Sequence, residues 1–148
     1  MAVDPNLVER EFAPTVPYLV GREKVREFAR AVLAESAVHH DVAAAQAAGY
    51  ADVVAPPTFA MVVQDLTLQQ LLGDESAGIV LERTVHAEQK FRYTRPIVAG
   101  DELTATLKVT GVRVVGGNSM VTSDAEIVDA SGSHVVTATS ILLVGAEQ

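Results

Sequence analysis

Two adjacent histidines, His39 and His40, stand just before Asp41 in the stretch 28–59, FARAVLAESAVHHDVAAAQAAGYADVVAPPTF. Imidazole changes charge near neutral pH, so it is the side chain best suited to taking up or releasing a proton there. At the far end of the same stretch, Pro56, Pro57 and Thr58 precede a long apolar run. A helix beginning at that point presents unpaired amides and a partial positive charge, which favour an oxygen that gains negative charge. On residue type alone, His39 reads equally as a packed or exposed histidine and the Pro-Pro-Thr stretch as an ordinary helix entry. The other two histidines, His86 and His134, fall on strand-like patterns far from this segment, and no pair of histidines with nearby acids has metal-ligand spacing, so no metal is expected. Cysteine is absent, which removes thiolate nucleophiles, disulfides and iron–sulfur ligation and leans towards a cytoplasmic setting.

The elements that must position these groups follow from patterning. The 148 residues read as one domain, and a chain of that length buries roughly 68–70% of its unfolded surface. A net charge of −8 opposes binding to phosphate backbones, so nucleic acid is not an expected partner. The start, MAVDPNLVEREF, lacks the basic and apolar regions of a signal peptide, and no apolar stretch approaches the ~18 residues of a membrane span. We therefore expect no membrane partner.

Residues 1–17 hold three prolines and no sustained period, which predicts an extended lead-in, followed by a short strand at Tyr18 to Val20. Val25, Phe28, Ala29, Val32 and Leu33 recur at helical spacing opposite a charged face. Asp41 is placed to cap a short alanine-rich helix, Val42 to Ala48, ended by Gly49. Thr58 is expected to cap a helix from Phe59 to Leu72, apolar except for a strip of Gln64, Asp65, Gln69 and Gln70. Such a helix must be largely enclosed.

From Val85 onward the period is two. Strands are expected around Val85 to Tyr93, from Leu103 across a bulge at Gly111 to Val115, around Val121 to Ile127, and from His134 to Val144. Turns fall at 116–118 and 131–133. The last strand is apolar on both faces and belongs inside the sheet. Helices followed by a run of antiparallel strands mean α+β, and wrapping that sheet around the apolar helix gives a hot-dog fold.

FARAVLAESAVHHDVAAAQAAGY resembles the hydratase motif of MaoC-like (R)-specific enoyl hydratases and dehydratases, F-A-x-x-S-G-D-x-N-P-I-H-x-D-x-x-A-A-x-A-x-G-F. Phe28, Ala29, His39, Asp41, Ala44, Ala45, Ala47, Gly49 and Tyr50 fit it. The segments GREKVREFARAV at 21–32, AAGYADVVAPPTF at 47–59 and FRYTRPIVAGDEL at 91–103 are similar to the actinobacterial branch containing (3R)-hydroxyacyl-ACP dehydratase subunits. The resemblance implies dimers whose sheets join edge to edge. It also implies an acyl group carried on the phosphopantetheine of CoA or ACP, with no resident cofactor, and an Asp/His pair five residues apart assisted by an amide at the start of the central helix. It makes His39 the candidate catalytic residue and puts Ala34, Ser36, Pro57, Thr58 and Phe59 beside the substrate.

The departure from the motif is chemical. Ala34 stands where the acidic Asp belongs, Ser36 where Asn does, and Ala37 where Pro does. A methyl group transfers no proton, and a general acid contributes about 10²–10⁴-fold. Glu35 is one residue away, about 100° around a helical turn. The resemblance is thus to the non-catalytic subunit type, which pairs with a subunit carrying the intact dyad. Three readings follow. The first is the substrate-holding half of a heterodimeric dehydratase or enoyl hydratase. The second is a non-enzymatic acyl-binding or structural hot-dog partner, and a homodimer remains open. The third is a hot-dog thioesterase, which would need Glu35 or Asp65 aimed at the thioester. The loop 95–101 reads chiefly as a strand connection; a cation such as Arg95 would suit a phosphopantetheine at an acyl site's mouth, but nothing in the sequence places it there.

Overall fold

A computed structural model describes residues 2–147. Its elements, in chain order, are β1 (Tyr18–Leu19), α1 (Arg22–Ala31), α2 (Val42–Ala47), α3 (Ala60–Leu72), β2 (Thr84–Tyr93), β3 (Glu102–Val115), β4 (Asn118–Val128) and β5 (His134–Val144). The strands form one antiparallel sheet in the order β1-β3-β4-β5-β2. The sheet packs around α3, whose Ala60, Val63, Leu68 and Leu71 are buried against it. This is the expected hot-dog arrangement.

The period-two segments become the strands predicted. Leu103, Ala105, Leu107 and Val109 on β3 and Val121, Ala125 and Ile127 on β4 are buried, and β5 is paired on both sides. The register of β3 slips between Val109 and Gly111, the expected bulge. Gly116 and Gly117 turn the chain with φ of 57° and 80°, a left-handed pair that glycine adopts without strain.

Four local readings need correction. The lead-in is mostly extended, but it includes a 3₁₀ turn at Pro5–Leu7 and docks along β3. The amides of Glu9, Phe12 and Thr15 donate to the carbonyls of Val109, Leu107 and Ala105, and Val3, Leu7 and Thr15 are buried; Met1 lies outside the described residues. These are backbone contacts, which leave no side-chain period to read. The second correction concerns α3, which opens through a 3₁₀ turn, Pro57–Phe59, with no capping bond from Thr58.

Third, Gln64 is wholly buried rather than on a wet strip. Its Nε2 is 3.5 Å from the Ala138 carbonyl and its Oε1 has no partner. Thr67 is buried beside it, and Ser123 and Ser140 meet at 3.0 Å across the strands. A thin polar layer therefore crosses the core.

Fourth, α1 stops before Val32 and Leu33, which are 45% and 82% exposed. The helix closes in a Schellman motif: the Ala34 amide donates to the Ala29 carbonyl at 2.8 Å and the Leu33 amide to Arg30 at 3.2 Å. This puts Leu33 at φ 58°, where glycine is the usual residue. Leu33→Gly is expected to stabilise the protein by about 0.5–1 kcal/mol, because the left-handed penalty outweighs the added chain entropy. Urea denaturation of the two proteins measures this.

Candidate functional site

Residues 53–55 are the spine of the site. The Val54 amide donates to the Val38 carbonyl on one side, while Ala55 and Ala99 tie this stretch to residues 97–99 on the other, through Ala55 N–H to Ile97 O at 2.8 Å and Ala99 N–H to Val53 O at 3.0 Å. His39 ends a 3₁₀ turn, Ala37–His39, and Asp41 then caps α2 by accepting from the Ala44 amide at 2.8 Å. The His39 ring thereby reaches the spine, with Nδ1 2.6 Å from the Val54 carbonyl. A carbonyl only accepts, so Nδ1 carries the proton, and neutral His39 keeps its lone pair on Nε2. That is the tautomer a general base needs.

His39 and Pro57 line one cleft of about 470 Å³ together with Val38, Tyr50, Val54, Ala55, Tyr93, Thr94, Arg95 and Pro96. The walls are mainly apolar. The turn at Pro57 closes one end, with its Phe59 amide committed to the Pro56 carbonyl at 2.9 Å. Thr58 offers the leading amide, for which a helix has no preceding carbonyl.

The side chains of the other expected site residues lie outside the lining of this cleft. Ala34 faces a separate hollow formed with Ala29, Arg30, Leu33, Glu35 and His40. Its carbonyl accepts from Nε2 of His40 at 2.8 Å, so His40 is half-buried and engaged rather than solvated. Ser36 precedes the turn that carries His39 and is exposed, and Thr58 is exposed as well. Phe59 is fully buried, edge-on to Phe28 with ring centroids 5.3 Å apart, so its side chain packs the core rather than the cleft.

Arg95 lies at the cleft but is not free. Its guanidinium is bidentate to Asp101 at 2.8 and 3.0 Å and reaches Asp129 at 3.2 Å. The Ser131 hydroxyl, with Arg95 next, holds the Asp129 carboxyl down at about 2. The cation therefore braces the loop against the turn at 129–133. Among the described residues, no group of three or more His, Asp or Glu side chains could hold a metal ion.

Sequence reasoning missed Tyr93. It closes β2 on the inward side of the alternation shared with Phe91, and its hydroxyl donates to the Pro57 carbonyl. Burial pushes its phenol up to about 12, while the Ala60 amide, approaching the same oxygen, works the other way. Absorbance titration is expected to show one of the three tyrosines ionising near 12. A raised folded pKa means stability is complete below about 10 and is lost as pH rises towards 12. Tyr93→Phe should remove that last titration step.

One antiparallel sheet around a buried helix, with a histidine cleft at the helix start, defines a hot-dog protein. The chain belongs to the FAS1-like dehydratase domain family, whose description, "FAS1-like, dehydratase domain region", matches residues 6–138. It is 58% identical over 146 residues to a UPF0336 protein of Leifsonia xyli subsp. xyli, covering 99% of this chain and 98% of that one. Among solved structures it is similar to a MaoC-like dehydratase at 35% identity and a TM-score of 0.84, matching 94% of this chain but only 42% of that longer one. It is also similar to the C-terminally truncated HadBC (3R-hydroxyacyl-ACP dehydratase) complex of Mycobacterium tuberculosis, at 27% identity and a TM-score of 0.81, with 93% and 96% covered.

Proposed function

We propose that this chain is the substrate-holding subunit of an (R)-specific 3-hydroxyacyl thioester dehydratase or enoyl hydratase of fatty-acid metabolism, working with a related subunit that carries an intact Asp/His pair. The observation that carries this reading is the split between its two halves. His39 is oriented as a base in an apolar cleft beside a helix-start turn, while Ala34 presents a methyl in a different hollow. Proton removal at C2 of the acyl group has a candidate base here; protonation of the departing C3 hydroxyl does not. The likeness to a two-subunit complex supports a partner as its source.

The acyl group arrives on the phosphopantetheine arm of CoA or ACP, with no resident cofactor, in the cytoplasm. Among the described residues, no helix is long and apolar enough to cross a membrane. The engaged state of Arg95 argues that the cleft receives the neutral pantetheine and acyl parts, because two carboxylates already satisfy its one cation.

Crotonyl-CoA hydration tests this directly. The purified chain is expected to be inactive alone and active after co-expression with an intact-dyad family member from the same organism. In that complex His39→Ala should lower turnover more than tenfold. Unchanged turnover would reduce the chain to a structural partner, and activity alone would mean that the loss at Ala34 is compensated within it.

A further inference from the structure

The turn at Pro57–Phe59 is anchored at its far end by the buried Phe59 ring and by the Phe59 amide on the Pro56 carbonyl, while its leading residues are less tied. Pro56 and Pro57 have no amide hydrogens, Thr58 makes no capping bond, and Pro57 and Thr58 are exposed. Its lateral tie to the sheet is the Tyr93 hydroxyl, which donates to the Pro57 carbonyl from the end of β2. The Tyr93 ring is half-buried, packs 6.3 Å from Phe91 centroid to centroid, and forms the same cleft wall system as His39 and Tyr50. Its strand position is fixed by pairing with Val136 on β5. A rigid aromatic thus spans from the sheet to the carbonyl of Pro57, the first residue of the turn that leads into α3.

We propose that Tyr93 is a positioning residue. Its hydroxyl fixes the Pro57–Phe59 turn so that the leading amide meets the thioester oxygen, and its ring sets the width of the cleft in which His39 works. This rests on the acyl-thioester reading above. Because the phenol stays neutral across the physiological range, the donor to Pro57 is always present. A displaced amide loses most where charge builds on the oxygen, so the loss falls on turnover more than on binding.

The test uses Tyr93→Phe, which keeps the ring, and Tyr93→Leu, which does not, each in complex with an intact-dyad subunit. For Tyr93→Phe, kcat for crotonyl-CoA hydration is expected to fall about tenfold, with KM changed less than twofold. For Tyr93→Leu, KM should rise as well, because the cleft wall is lost. Hydrogen exchange on the chain alone gives a second readout. Amides 59 and 60 should exchange about tenfold faster in Tyr93→Phe, while those in the middle of α3 are unchanged. A merely structural role would instead lower protection along the whole helix.

Wild-type kcat in Tyr93→Phe, or unchanged exchange at 59 and 60, would overturn the proposal. Should the wild-type complex fail to hydrate crotonyl-CoA, the acyl-thioester reading fails, and the exchange comparison still decides whether Tyr93 holds the turn.

Discussion

The structure depends on enclosing α3. Apolar side chains occupy most of its circumference, and Ala60, Val63, Leu68 and Leu71 reach the sheet. Burial of such side chains contributes about 1.5–3 kcal/mol each for the larger ones, and only a sheet that curls around the helix can supply it. Enclosure also fixes where chemistry can occur. One face of the helix body, carrying Val63, Gln64, Thr67, Leu68 and Leu71, is sealed in the core, while Pro57 in its leading turn lines the cleft beside His39. The same wrapping leaves Gln64 with an unmatched oxygen, a local cost that the surrounding apolar contacts offset.

The site is assembled from three segments that meet along residues 53–55. The His39 turn, the Pro57 turn and the loop from Tyr93 to Pro96 each contribute a wall; backbone hydrogen bonds join residues 53–55 to Val38 and to 97–99, and the His39 ring and Tyr93 hydroxyl add side-chain ties to Val54 and Pro57. Ala34, set in its own hollow with Ala29, Arg30, Leu33, Glu35 and His40, is not part of the lining of this cleft.

Much of this was legible in the residues. The alternation from Val85 to Val144 specified the strands, Gly111 the bulge, and Gly116 and Gly117 the hairpin, because period two and positive φ are local properties. His39 and Pro57 were legible from motif and helix-start chemistry, and the structure brings both to one cleft. What was not legible depends on tertiary placement. Gln64 was assigned to water by its polarity, although its position on the helix faces the sheet. The family resemblance puts Phe59 beside the substrate, whereas its ring turns into the core. Leu33 continued a helical period past a point where a left-handed residue had already closed the helix. The link from Tyr93 to Pro57 spans 36 positions and leaves no trace in local pattern.

The central claim is that this chain's own cleft receives the acyl thioester. Its most direct test is a crystal structure of the complex with an intact-dyad subunit, bound to a crotonyl-pantetheine analogue that cannot be hydrated. We predict the thioester oxygen within hydrogen-bond distance of the amide at Thr58, with the acyl C2 facing Nε2 of His39. An analogue seated wholly in the partner's cleft, with the His39 cleft of this chain untouched, would contradict the account.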